Sequence, residues 1–124
     1  KDEVLKDFAS PVPMGADESC HTRADLERVA DRGYAFVNIK LDKSGGLTEA
    51  LALVEAVKAR GLGLMVGCMS GTTLAMAPGF IVAQHCHFVD LDSPIYLPPE
   101  DRPEIVYDGS IVSWGPKGAW GKPA

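Results

Sequence analysis

Val37-Asn38-Ile39-Lys40-Leu41-Asp42-Lys43-Ser44-Gly45-Gly46-Leu47 decides the fold: a short apolar strand ends on a lysine and breaks into a glycine-rich turn ahead of a helical pattern. A brief apolar run bounded by turn signals and followed by a helix reads as a buried parallel strand of a strand-helix unit. Side chains alternate along a strand, so Val37, Ile39 and Leu41 share one face and Asn38 and Lys40 the other. The first face packs against covering helices, and the second points into the centre of a sheet or barrel. Lys40 then reads in two ways: a solvated lysine at a strand end, or a cation at the carboxyl rim, where α/β folds gather their chemistry.

The same unit recurs on both sides. Upstream, Met14-Gly15-Ala16 runs into Asp17-Glu18-Ser19 and reads as a strand with Asp17 at its carboxyl end. Thr22 with Asp25 three residues later is a helix start, Leu26, Val29 and Ala30 give the apolar stripe, and Asp31-Arg32-Gly33 stops the helix. Downstream, a helix is predicted from about Leu47 to Arg60, with Leu47, Leu51, Val54, Ala56 and Val57 on or near its buried side and Gly61 closing it. Leu62 to Met69 is the third strand, followed by a helix through Leu74, Ala75, Ile81 and Val82 that Pro78-Gly79 should kink or shorten. Phe88-Val89-Asp90-Leu91-Asp92 is the fourth strand.

From Asp17 to Lys40, Cys68 and Asp90 the steps are 23, 28 and 22 residues, the period of a repeated βα unit. Strands alternating with helices imply parallel pairing through right-handed crossovers. Residues 1–92 are therefore expected to form four parallel βα units. Residues 93–124 change character: a hairpin about Asp108-Gly109 is expected within Ile105 to Val112, and beyond it Trp114, Pro116, Gly118, Trp120 and Pro123 form an irregular end whose tryptophans suggest an apolar docking surface.

Composition narrows the function. At 124 residues the chain is one domain or part of one, about half the roughly 250 residues of an eight-unit barrel. A net charge of -5 without a basic block argues against nucleic acid or an anionic membrane as partner. No apolar run reaches the roughly 18 residues of a membrane helix, and the opening Lys1-Asp2-Glu3 does not read as a signal peptide, so a cytoplasmic location is the expectation. Three widely spaced cysteines, Cys20, Cys68 and Cys86, suit reduced thiols.

Set side by side, the strand ends bring polar groups to one rim: Asp17 and Glu18, then Lys40, then Cys68 to Ser70, then Asp90 and Asp92. Taken singly, each acid also reads as an ordinary solvated strand end. His85-Cys86-His87 looks like a metal cluster, but it precedes its strand and so falls at the opposite rim, where residues serve stability.

Ala16-Asp17-Glu18-Ser19, Asn38-Ile39-Lys40-Leu41-Asp42-Lys43-Ser44-Gly45-Gly46, Met65-Val66-Gly67-Cys68-Met69 and Phe88-Val89-Asp90-Leu91-Asp92-Ser93-Pro94 together resemble the carboxyl-terminal half of the enolase superfamily. The likeness is to its muconate-lactonising branch, and most to the dipeptide epimerases acting on L-Ala-D/L-Glu and related dipeptides. The resemblance implies strands five to eight of a (β/α)8 barrel with a carboxyl-terminal hairpin. It implies Asp17 as a carboxylate ligand of Mg²⁺ and Lys40 as an acid/base. Asp90 and Asp92 would hold the substrate's α-ammonium, with Cys68 and Met69 at the substrate. The chemistry suits these residue types. Removing a proton α to a carboxylate creates an enediolate dianion whose charge a hard cation absorbs. A lysine serves as base only if its pKa falls from about 10.4, and burial beside Mg²⁺ pushes it that way.

The family pattern also takes a Lys-x-Lys strand end, an aspartate and a glutamate from earlier strands, a second base and an amino-terminal capping domain, none of which this sequence holds. The expectation is a half-barrel that is inactive alone. Its partners would be the missing half, a capping domain against residues 93–124, a dipeptide substrate and, as a further possibility, a second copy of itself. Sister reactions of the branch stay open: muconate lactonisation, o-succinylbenzoate synthesis and N-acylamino-acid racemisation. Their substrates carry no free ammonium, which the acid pair argues against. A non-catalytic half-barrel module that uses its open edges for pairing is the reading from another class. The geometric expectation is that Lys40 and Asp17 face one cavity within about 10 Å.

Overall fold

A computed structural model describes residues 2–100 and 103–116. Four strands, β1 (Gly15–Ala16), β2 (Phe36–Ile39), β3 (Gly63–Val66) and β4 (Phe88–Val89), lie parallel in the order β1-β2-β3-β4. Gly15 pairs with Phe36, Val37 with Leu64, and Met65 with Phe88. The crossovers hold α1 (Leu26–Asp31) between β1 and β2, α2 (Leu41–Ser44) and α3 (Leu47–Lys58) between β2 and β3, and α4 (Thr73–Ala83) between β3 and β4.

The predicted alternation is what the sheet displays. Ala16, Val37, Ile39, Leu64 and Val66 are buried on the helix side with Leu26, Val29, Leu53, Val54, Val57 and Val82. Each of these valine, leucine and isoleucine side chains contributes roughly 1.5–3 kcal/mol by leaving water. The other face carries Gly15, Phe36, Asn38, Met65 and Phe88, which with Pro13 line a hollow of about 420 Å³. Helices on one face, with strands in sequential order, are the wall of a barrel and not a doubly wound sheet. Phe36 and Phe88 meet edge to face in that hollow, ring centroids 5.4 Å apart. Phe88 on this inner face remains 56% exposed, and Val89, on the opposite side of the edge strand, 47%.

Local chemistry explains the element ends. Asp25 accepts hydrogen bonds from the backbone N–H groups of His21 and Thr22, both at 3.0 Å, so the predicted helix start is there, although its first turn, Arg23–Asp25, is a 3-10 turn. The buried stripe of α3 is Ala50, Leu53, Val54 and Val57, with Leu47, Leu51 and Ala56 at its margins.

Four expectations are corrected. The glycine-rich turn opens with one helical turn, α2, closed by Gly45 at φ +81° and Gly46 at φ +128°, both of whose N–H groups donate to the Leu41 carbonyl. Leu41 therefore belongs to that turn and not to the strand. Pro78 does not shorten its helix, which is continuous from Thr73 to Ala83; the carbonyl left without its helical donor is that of Leu74, a residue 57% exposed. The hairpin, β5 (Ile105–Asp108) and β6 (Ile111–Trp114), turns on Gly109-Ser110, with Asp108 paired to Ile111 as the last strand residue. Trp114 thus ends a strand and does not start an irregular tail; its ring stands edge to face on Phe80 of α4 at 4.9 Å. Ile105 is fully buried in the same core. Gly118, Trp120 and Pro123 lie outside the described residues.

Candidate active site

The chain leaves β1 at Asp17, β2 at Lys40 and β4 at Asp90, while Cys68 follows two residues after β3. Lys40 keeps an extended backbone (φ -124°, ψ 127°), which continues the strand alternation and turns its side chain to the Asn38 face. Its Nζ lies 3.1 Å from Asp17 Oδ2 and 3.3 Å from Glu18 Oε1, well inside the expected 10 Å. Gly67 leaves room for this reach: a Cβ there would stand 3.2 Å from Lys40 Cε and 2.8 Å from Asn38 Oδ1. Asn38 is buried, and its Oδ1 has no hydrogen-bond partner among the described residues.

Lys43 is the residue that sequence reasoning missed. It lies one helical turn beyond Lys40, and its side chain is only 4% exposed. From there it donates to Asp17 Oδ1 at 2.7 Å, to the Asp17 carbonyl at 2.6 Å and to the Asn38 carbonyl at 3.3 Å. Two lysines three apart, on a turn that two glycines fold back toward the strand, are the signal that would have found it.

The electrostatics follow from this cluster. Burial pushes the Asp17 carboxyl up, but hydrogen bonds and charge from Lys43 and Lys40 outweigh it, and the pKa falls below its ordinary 3.8. Burial pulls the Lys40 amine down, and the hydrogen bonds it donates to Asp17 and Glu18, with their charges, more than reverse it, so its pKa rises above 10.5. That direction is opposite to the fall a general base needs. Asp90 is raised above 3.8, first by burial and then by Asp92 beside it, against the pull of Lys40.

The loops after β3 and β4 are stitched together. Ser93 Oγ accepts from the Gly71 N–H at 2.8 Å, and Tyr107 Oη on the hairpin donates to the carbonyl of Leu91, the buried residue between Asp90 and Asp92. Burial lifts the Cys68 thiol, with the backbone N–H groups of Ser93 and Asp92 opposing and the charges of Asp90 and Asp92 adding to the rise. The rim thus brings Asp17, Glu18 and Lys40 into contact and sets Cys68 beside the acid pair, with Met69 at 41% exposure on the same loop. At the other rim, His87 Nδ1 accepts from the Leu64 N–H at 3.2 Å, His85 stands by Lys58, and the Cys86 thiol donates to the Val82 carbonyl. His85, Cys86 and His87 thus each have a contact within the fold.

Asp17 Oδ2 is a hard oxygen donor of the kind Mg²⁺ takes, and its carboxylate is 45% exposed. The donor type fits. The described residues do not supply the donor number: no group of three or more His, Cys, Asp or Glu side chains gathers among them.

The family model described as Enolase C-terminal domain-like matches residues 2–109. The chain is 46% identical over 112 residues to N-acetyl-D-glutamate racemase of Pseudoalteromonas sp., covering 90% of this chain and 35% of that protein. It is 45% identical over 106 residues to L-Ala-D/L-Glu epimerase of Escherichia coli K12, covering 86% and 33%. Among solved structures it is similar to an enolase family member from Agrobacterium tumefaciens with homology to dipeptide epimerases, with bound sodium and L-Ala-L-Glu, at a TM-score of 0.84 and 49% identity over 90% of this chain and 34% of that one. It is also similar to the dipeptide epimerase of Methylococcus capsulatus complexed with Mg and L-Arg-D-Lys, at 0.76 and 26% identity over 86% and 32%. The chain spans about a third of the length of the curated relatives it matches. With its parallel barrel wall and a family match running from residue 2 to residue 109, the chain belongs to the Enolase C-terminal domain-like family.

Proposed function

We propose that this chain supplies half of the active site of an epimerase that inverts the carbon α to a carboxylate in an N-acylated glutamate or related dipeptide. The observation that carries the reading is the Lys40 amine at the carboxyl rim, 3.1 Å from Asp17 and held against the inner face by the Gly67 gap. Lys40 takes or returns the α-proton on one face of the carbon. Epimerisation needs a second acid/base on the opposite face, and that group comes from outside these residues. Asp17, through Oδ2, is one ligand of a Mg²⁺ ion whose remaining ligands lie beyond this chain. The ion, when bound, neutralises the charge that develops on the substrate carboxylate. Asp90 and Asp92 receive the ammonium of a dipeptide, a pairing that also relieves their mutual repulsion.

Two relatives point to two substrates. N-acetylglutamate and L-Ala-Glu are both N-acylglutamates that react at the same carbon, and they differ at the ammonium that only the dipeptide bears. The acid pair favours the dipeptide. N-acetylglutamate racemisation is the second reading, supported by the 46% identity to the Pseudoalteromonas protein.

The remaining partners follow the same reading. A barrel half covers the hollow bounded by Phe36, Met65 and Phe88, and a capping domain meets the outer side of the hairpin, where Ile111 is 66% exposed. Cys20, Cys68 and Cys86 are all free thiols, which suits a reducing cytoplasm. Among the described residues no helix is long and apolar enough to cross a membrane.

The test is α-proton exchange in D₂O by the full-length protein with Mg²⁺, followed by NMR on L-Ala-L-Glu and on N-acetyl-L-glutamate. Deuterium entering the glutamyl α-position of the dipeptide, with inversion, is expected. No exchange in either compound ends the reading, and exchange in N-acetylglutamate alone replaces it with the second.

A further inference from the structure

Asp17 presents two oxygens, and the structure treats them differently. Oδ2 faces Lys40 at the rim, where the carboxylate is 45% exposed. Oδ1 is tied at 2.7 Å to Lys43, a lysine 4% exposed whose three hydrogen-bond acceptors, Asp17 Oδ1, the Asp17 carbonyl and the Asn38 carbonyl, match the three donors of an ammonium group. Two of the acceptors are main-chain atoms at the ends of β1 and β2. The amine is therefore fixed to the scaffold and holds the carboxylate from there. Lys40 differs: both its side-chain partners are carboxylates, those of Asp17 and Glu18, which are themselves exposed.

From this we propose that Lys43 is a positioning residue that keeps Asp17 a one-oxygen ligand and so sets the site's preference for a small octahedral cation over Ca²⁺. The inference rests on the metal role given to Asp17 above. A carboxylate with both oxygens free clasps a cation with two, which suits Ca²⁺ with its six to eight oxygens at 2.3–2.6 Å and not Mg²⁺ with its strict six. With Oδ1 tied to the scaffold-held Lys43, a cation can take Oδ2 alone, and it does so in place of the Lys40 ammonium that pairs with that oxygen. Lys43 reaches the ion through Asp17 alone, by fixing which oxygen faces it.

The charge of Lys43 weakens any divalent cation nearby, and by a similar amount for two ions of equal charge. The ratio of Ca²⁺ to Mg²⁺ affinity therefore isolates the positioning effect from the charge effect. The experiment is titration calorimetry of the full-length protein with Mg²⁺ and with Ca²⁺, in the wild type, Lys43→Met and Lys43→Gln, without substrate. The wild type is expected to prefer Mg²⁺. Lys43→Met is expected to shift the ratio toward Ca²⁺ about tenfold. Lys43→Gln keeps a polar side chain in the buried slot and is expected to shift the ratio in the same direction by less, which serves if Lys43→Met does not fold. An unchanged ratio in a folded variant overturns the role of Lys43 and leaves the epimerase reading intact. A wild type that binds neither ion overturns the metal reading, and the role of Lys43 with it.

Discussion

Lys40 Nζ and Asp17 Oδ2 stand 3.1 Å apart across the ends of two neighbouring parallel strands, joined by 22 residues of crossover that place a helix behind the sheet and no side chain between them. In the proposed reading the pair couples the proton-carrying group to the carboxylate offered to the metal. Any change at one is felt at the other.

Lys40→Met keeps the length of the side chain and removes the amine. In the full-length protein, exchange of the α-proton is expected to fall by about 10²–10⁴-fold for the epimer whose proton faces Lys40. The other epimer should still exchange through the second base. Separate NMR time courses in D₂O for the two epimers check this, and equal rates for both in the variant would contradict a one-face role for Lys40.

Asp90 is held above its ordinary 3.8, by burial first and by Asp92 second, and this has a definite sign in pH. A carboxyl whose folded pKa is raised contributes to stability below its unfolded pKa. That contribution is lost as pH rises through the folded value. Asp90→Asn removes the loss, so the urea midpoint of the variant is expected to exceed that of the wild type above that range and to converge with it toward pH 3. The same variant should lose selectivity for L-Ala-L-Glu over N-acetylglutamate, because half of the ammonium site is gone. A midpoint difference that grows on acidification would contradict the account.

Gly67→Ala tests the gap through which Lys40 passes. The new methyl group would meet Asn38 Oδ1 at 2.8 Å and Lys40 Cε at 3.2 Å, so the lysine stem must move. A displacement near 1 Å costs about 10²-fold in a positioned reaction. Turnover is expected to drop by that order while far-UV circular dichroism stays native. Wild-type turnover would show that the gap does not set where Lys40 points.

The barrel wall was legible in the sequence because its signals are local and periodic. Val37 and Ile39 alternate with Asn38 and Lys40, and polar residues recur at each strand end. The convergence of Asp17 with Lys40 followed from parallel pairing alone. Lys43 was hidden because it falls in a turn where a lysine ordinarily meets water; only the backbone of Gly45 and Gly46 folds it back under β1. The direction of the Lys40 shift was hidden for another reason. Glu18 reads as a loop acid in the sequence, and the weight of its carboxylate against burial is a matter of distances. Pro78 misled because the cost of a missing donor depends on which side of the helix the orphaned carbonyl lies.

Tyr107 links the hairpin to the acid pair, and the link predicts a division between binding and turnover. Its hydroxyl donates to the carbonyl of Leu91, the buried residue whose flanking neighbours are Asp90 and Asp92. Burial lifts the phenol to about 12, so the donor stays protonated throughout the working pH range. Tyr107→Phe keeps the ring in place and removes one hydrogen bond, worth about 0.5–1.5 kcal/mol net. A loss of that size fits a modest drop in melting temperature. The larger consequence is geometric: the Leu91 carbonyl is released, and the two carboxylates that must share one ammonium lose their common anchor. KM for L-Ala-L-Glu is expected to rise several-fold with kcat little changed, because Lys40 and Asp17 sit on other strands. N-acetylglutamate, which brings no ammonium, should show no rise in KM. A fall in kcat with unchanged KM would mean that the hairpin acts on the proton transfer, and the division of labour between the β1–β2 and β3–β4 ends of the rim would have to be redrawn.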